Sequence, residues 1–130
     1  MNIIPVSAGI TGFASPAKDY AQLELSMDEL LIDHPSSTFI GKVSGHSMNE
    51  VGIFDGDILI VDRQVEVQHL DIIVGNLNGE FVCKMIDTHN HSLISANQEH
   101  ADITINKSDQ FTIEGVVTRS IRLHRPSHLL

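Results

Sequence analysis

From Thr38 onward the chain reads as short β-branched runs, each cut off by Gly, Asp or Asn. Strands are predicted over residues 39–43, 58–62, 71–77, 80–86, 91–94 and 111–123, the last long enough to bend near Gly115. Asn78-Gly79 lies between two apolar runs, a strong signal for a two-residue type I′ hairpin. Such a loop fixes the register, with Leu77 opposite Glu80 and Ile73 opposite Lys84. Alternation then puts Val82, Lys84 and Ile86 on one face. Phe81, Cys83 and Met85 share the other with Ile72 and Val74. Both faces are apolar, so the hairpin is expected to be covered on both sides. Upstream, Ser26-Met27-Asp28-Glu29 has the spacing of a capping box ahead of Leu30-Leu31-Ile32, which predicts one short helix ended by Pro35. Residues 10–17 are small, turn-rich and aperiodic, as in an extended, mobile arm. The expected organisation is an arm over residues 1–25 and a compact, mostly β body over 26–130.

Composition narrows the classes. With 130 residues there is room for one compact domain. Eight Lys+Arg against 17 Asp+Glu give a net charge of −9, which argues against a main task of gripping nucleic-acid phosphates. No sequence-specific DNA binding is expected. The charge is uneven: from Arg119 to Leu130 there are three Arg and no acid, so removing those three charges leaves about −12 on the remainder. A basic tail on an acidic body suits docking to an acidic partner or to a copy of itself. A single cysteine, Cys83, excludes an intrachain disulfide and fits a reducing compartment. The run Ile58-Leu59-Ile60-Val61 is too short to span a membrane, and the N-terminus lacks the basic lead of a signal peptide. A cytoplasmic protein is expected.

Two residues suggest chemistry. Lys84 lies mid-strand between apolar neighbours, where an ammonium loses its solvation. Burial can bring a lysine from about 10.4 to roughly 7–8, where it serves as a general base. The ordinary alternative is a lysine that snorkels its ammonium to the sheet edge. The second element is Val43-Ser44-Gly45-His46-Ser47-Met48, a glycine-containing turn that can expose the Ser47 hydroxyl while nearby backbone N–H groups converge on an oxyanion. Alone it is ordinary turn chemistry.

Together, the Ser-Gly-His-Ser-Met turn, the stretch 52–62 and Gly79-Glu80-Phe81-Val82-Cys83-Lys84 resemble the LexA/UmuD family of self-cleaving serine peptidases. Residues 12–20 and 30–35 resemble its UmuD-type members in particular. The resemblance runs from about Gly12 to the C-terminus and implies a β-rich fold with an N-terminal arm that is cut. It implies Ser47 as nucleophile, neutral Lys84 as its base, and the backbone N–H groups of His46 and Ser47 as the oxyanion hole. It further implies a homodimer, a RecA–single-stranded-DNA filament that promotes cleavage, and a Y-family (UmuC-like) translesion polymerase as partner in the SOS response to DNA damage. No cofactor or metal is implied. The family cuts an Ala-Gly or Cys-Gly bond. Ungapped alignment puts Thr11-Gly12 there, whereas Ala8-Gly9 has the right chemistry three residues upstream. Ala8-Gly9 is preferred, with Thr11-Gly12 as the alternative.

Other clusters are weaker. A Ser47–His46 pair is disfavoured because adjacent residues in an extended segment point apart. Asp87, His89 and His91 alternate like metal ligands but sit in a Thr/Asn-rich loop that reads as a solvated turn. Asp55-Gly56-Asp57 reads as a tight turn into the next strand rather than a calcium loop. Only about a dozen residues precede the cleavage site, which favours an UmuD-type protein over a repressor with a helix-turn-helix domain. The rival reading is a non-catalytic dimeric binding module, or a phage- or plasmid-type regulator, that keeps the fold.

Overall fold

A computed structural model describes residues 5–9 and 26–130, and the chain divides into two units, Met1–Leu31 and Ile32–Leu130. In the first, helix α1 spans Met27–Leu31. One half of the expected capping box is present: the Glu29 N–H donates to Ser26 Oγ at 3.1 Å, and the Leu30 N–H donates to the Ser26 carbonyl at 3.0 Å, but no bond from the Glu29 side chain back to Ser26 is seen among the described residues. The helix stops at Leu31, before the Pro35 expected to end it. Pro35 instead opens a 3-10 turn, Pro35–Ser37, where its fixed φ suits the first position. Ala8 and Gly9 are exposed, and the Gly9 N–H donates to Ser7 Oγ at 3.1 Å. Thr11-Gly12 and most of the expected arm lie outside the described residues.

The second unit carries seven strands: β1 (Thr38–Lys42), β2 (Ile58–Asp62), β3 (Ile72–Leu77), β4 (Glu80–Asp87), β5 (Ser92–Ile94), β6 (Ile103–Thr104) and β7 (Phe111–Ile121). They form one antiparallel sheet in the order β1-β2-β7-β3-β4-β5-β6. The mostly β expectation is borne out; β1 is shifted by one residue, β3 and β4 each differ by one residue at an end, and there are three further differences. His91 takes a left-handed φ of 49° in the turn before β5 rather than joining the strand. β7 ends at Ile121 rather than Leu123. β6 has only two residues, too few for a periodicity to register.

The β3–β4 hairpin has the predicted register, Leu77 against Glu80 and Ile73 against Lys84. Asn78 and Gly79 take φ of 53° and 89°, the two positive values a type I′ turn requires. Its two faces enter separate apolar clusters. Val74, with Ile72, Cys83 and Met85, packs with Met48, Ile53, Leu59 and Val61. Ile73 and Ile86 pack with Leu93 and Val116, flanked by Val82 and Leu77. Covering on both sides thus holds along the body of the hairpin. It fails at the tip, where Phe81 is 69% exposed.

Central strand β7 carries two irregularities. Its register slips against β3 between Gly115 and Ile113, and against β2 between Arg119 and Val117. Each leaves one extra residue, the β-bulge that locally increases strand twist. The bend expected near Gly115 has a steric cause as well. A Cβ there would stand 2.7 Å from Val61 Cγ1 and 3.0 Å from the Asp62 carbonyl oxygen, so only glycine lets β7 approach β2 this closely.

Candidate functional site

Ser47 lies between the end of β1 and a 3-10 turn at Asn49–Val51. Gly45 makes this path possible with φ 101°, a conformation side-chain-bearing residues rarely adopt. One flank of the segment is stitched to residues 52–57. Val43 donates to the Asp57 carbonyl at 2.9 Å, Gly56 to the Val43 carbonyl at 2.8 Å, and Gly45 to Asp55 Oδ1 at 2.8 Å. The other flank leans on residues 96–98. Glu50 donates to the Ala96 carbonyl at 2.8 Å, and Asn97 Nδ2 donates to the His46 carbonyl at 2.7 Å. Met48 is the apolar anchor, 2% exposed in the first core cluster. A serine flanked by a braced glycine and a buried methionine has little freedom to wander.

Lys84 sits in the middle of β4 and reaches this turn. Its Nζ is 2.6 Å from Ser47 Oγ, and the residue is only 9% exposed. Among the described residues Lys84 forms no ion pair. Both residues line an open groove of about 690 Å³. Its titratable lining groups are Lys42, Arg63, Cys83 and Lys84, none an acid. Burial pulls the Lys84 amine below the ordinary lysine value, against a smaller opposing pull from the neighbouring Cys83. Burial pushes the Cys83 thiol up to about 11 against the pull of Lys84, so Cys83 remains a protonated, packed side chain. Sequence reasoning gave Lys84 a dry setting, and the structure adds that the dry amine faces Ser47.

His46 is exposed, and its carbonyl is held by Asn97. The backbone N–H groups of His46 and Ser47 find no acceptor among the described residues, so both stay available to an incoming oxygen. The Asp87–His91 segment is local turn chemistry: Asp87 Oδ1 accepts from the His89 and Asn90 N–H groups, both at 3.0 Å. Among the described residues no three metal-ligating side chains converge.

Two acidic residues are buried outside the groove, and sequence reasoning missed what they do. Asp62 is 1% exposed; burial would raise its carboxyl, but the hydrogen bonds it accepts from His34 and the Gln64 N–H outweigh that and hold the group below the usual range. Asp57, 3% exposed, is held low by the guanidinium of Arg122, whose Nε and Nη2 reach its two oxygens at 3.1 Å each. Arg119 pairs with Asp33 at 3.0 Å. Two of the three arginines of the basic tail thus also pair with acids of the same chain while their side chains stay partly exposed. Only the sign pattern, two arginines ending an apolar strand in an acidic chain, could have hinted at this.

A serine hydroxyl bonded to a buried, carboxylate-free lysine amine in an apolar groove of an antiparallel sheet is an arrangement suited to acyl-transfer chemistry. The peptidase S24-like family profile matches residues 3–118, and the chain belongs to that family. Relatives agree over most of its length. Protein ImpA of Salmonella typhimurium is 36% identical over 118 residues, covering 91% of this chain and 80% of the relative. Protein MucA of Escherichia coli is 35% identical over 115 residues, covering 87% and 79%. The LexA repressor of Idiomarina loihiensis is 31% identical over 109 residues, covering 82% of this chain but 53% of the repressor. Among the described residues no helix is long and apolar enough to cross a membrane.

Proposed function

We propose that this chain is a self-cleaving serine peptidase whose nucleophile is Ser47 and whose general base is Lys84. The reading rests above all on the 2.6 Å contact between a buried amine and the serine hydroxyl. Neutral Lys84 takes the Ser47 proton as Oγ attacks the carbonyl carbon of Ala8. The N–H groups of His46 and Ser47 receive the oxyanion. As the Ala8–Gly9 bond breaks, the Lys84 ammonium returns the proton to the departing Gly9 amine, leaving an ester on Ser47. Water then attacks that ester, giving its proton to Lys84, and Ser47 regains its hydrogen as the Ala8 carboxylate leaves. Thr11–Gly12 is the alternative bond. Because the substrate peptide is part of the same chain, holding it in place can supply effective molarities of about 10⁵ M or more.

The resemblance to UmuD-type proteins supports a wider setting. A RecA–single-stranded-DNA filament promotes the cut in the cytoplasm. The trimmed homodimer then serves a Y-family translesion polymerase in the SOS response. Intact-mass spectrometry tests the whole reading. Wild-type protein at alkaline pH, or with activated RecA filaments, should lose its N-terminal segment, and the fragment mass identifies the bond. Ser47→Ala and Lys84→Ala should stay intact under both conditions. An unchanged wild-type mass over days would overturn the peptidase reading in favour of a non-catalytic dimeric module.

A further inference from the structure

We infer that Arg122 is a positioning residue that, through Asp57, fixes the Ser47 turn against Lys84. The inference rests on the peptidase reading, and it concerns a contact outside the groove. Arg122 follows β7 directly, and its side chain touches the 52–57 segment at three points. Nε and Nη2 grip the Asp57 carboxylate at 3.1 Å each, and Nη2 also donates to the Gly52 carbonyl at 3.1 Å. The guanidinium lies over the Phe54 ring, 4.1 Å from its centroid. Asp57 Oδ2 accepts in addition from the Phe54 N–H at 2.8 Å.

That segment is the floor to which the nucleophile turn is tied. Its hydrogen bonds reach Val43 and Gly45 before Ser47, while the Asn49 and Met48 carbonyls after it accept from Gly52 at 3.0 Å and Ile53 at 3.2 Å. No other side chain among the described residues bonds the Asp57 carboxylate. An exposed ion pair is ordinarily worth little. Here the carboxylate is buried and the grip is a two-pronged fork, a geometry that sets orientation and that a lysine cannot reproduce. Losing it frees the floor of the turn, and with it the distance from Ser47 Oγ to Lys84 Nζ. Displacement of a reacting group by about 1 Å can cost roughly 10²-fold in rate. A loosened turn also lets water reach Lys84, which restores the ammonium and moves the pH dependence upward.

The experiment follows self-cleavage of the full chain by intact mass across alkaline pH, alongside urea titration to fix the folded fraction at each pH. Arg122→Gln should slow cleavage of the folded protein about 10- to 100-fold, in line with the displacement estimate, and shift the rate midpoint to higher pH. Arg122→Lys, which keeps the charge but not the fork, should fall between Gln and wild type, and it carries the test if the Gln variant does not fold. Asp109→Asn loosens a turn built on Asn78 and Asn106, so it controls for stability alone and should leave the midpoint unmoved. Clamp variants whose rates track only the folded fraction, with the wild-type midpoint, overturn the clamp while sparing the dyad. Failure of wild-type protein to cleave overturns the dyad and the clamp together.

Discussion

Lys84 shows how far a residue's role is legible in a strand pattern. Its burial followed from alternation across a hairpin whose register Asn78-Gly79 fixed, and the register is as expected. What it faces is set by a turn 37 positions away in sequence, which no local period encodes; resemblance supplied that partner. The depressed amine has a consequence for stability with a definite sign. Below its folded-state pKa the buried ammonium destabilises the fold in full. Between that value and about 10.4 the unfolded chain holds more protons, so stability rises with pH, and above both the penalty is gone. Lys84→Met should therefore exceed the wild type in stability at neutral pH, by a margin that closes as the pH nears 10.4. Cys83 titrates in both proteins and largely cancels in the difference. Urea titrations from neutral to alkaline pH check this; a Lys84→Met protein clearly less stable at neutral pH would instead reveal a structural ion pair. Ser47→Ala should abolish cleavage in a protein that still folds, with at most a modest drop in urea midpoint, since among the described residues its hydroxyl bonds only the Lys84 amine.

At the scale of elements, β2 and β7 decide the shape of the sheet. β2 is buried along its whole length, with apolar side chains on both faces of its Ile-Leu-Ile-Val run. The bend in β7 was legible from Gly115, but the second slip, between Arg119 and Val117, had no glycine to mark it. Gly115→Ala would press a methyl group against Val61 and the Asp62 carbonyl, and because backbone cannot yield, a loss of about 1–3 kcal/mol is expected by urea titration. Met48→Ala removes the anchor beside Ser47. It should cost about 2–5 kcal/mol and slow cleavage beyond the loss in folded fraction. Asp57 was read as part of a tight turn, which it is, yet its carboxylate faces an arginine 65 positions later. Pairings of that span lie beyond any window over which propensity or periodicity operates.

Across the whole molecule, charge is less segregated than the sequence suggested. Arg119 and Arg122 each pair with an acid of the chain while remaining partly exposed, whereas Arg125 has no such partner among the described residues. Charge reversal accordingly separates folding from association. Arg122→Glu should lower the urea midpoint, because it sets a carboxylate against buried Asp57. Arg125→Glu should leave the midpoint alone, so any weakening of self-association in sedimentation runs would belong to the tail surface itself. Equal urea midpoints for the two variants would refute the assignment of Arg122 to the fold.

The proposed cleavage requires Lys84 to lose its proton beside Ser47, and that titration can be watched directly. Nuclear magnetic resonance of protein labelled at the lysine ε-carbons, titrated from neutral to alkaline pH, follows Lys84 once Lys84→Met has assigned its signal. The expected result is a Lys84 midpoint below those of the exposed lysines, coinciding with the midpoint of the self-cleavage rate. A Lys84 that titrates with the exposed lysines, or cleavage that rises on a different midpoint, would contradict it.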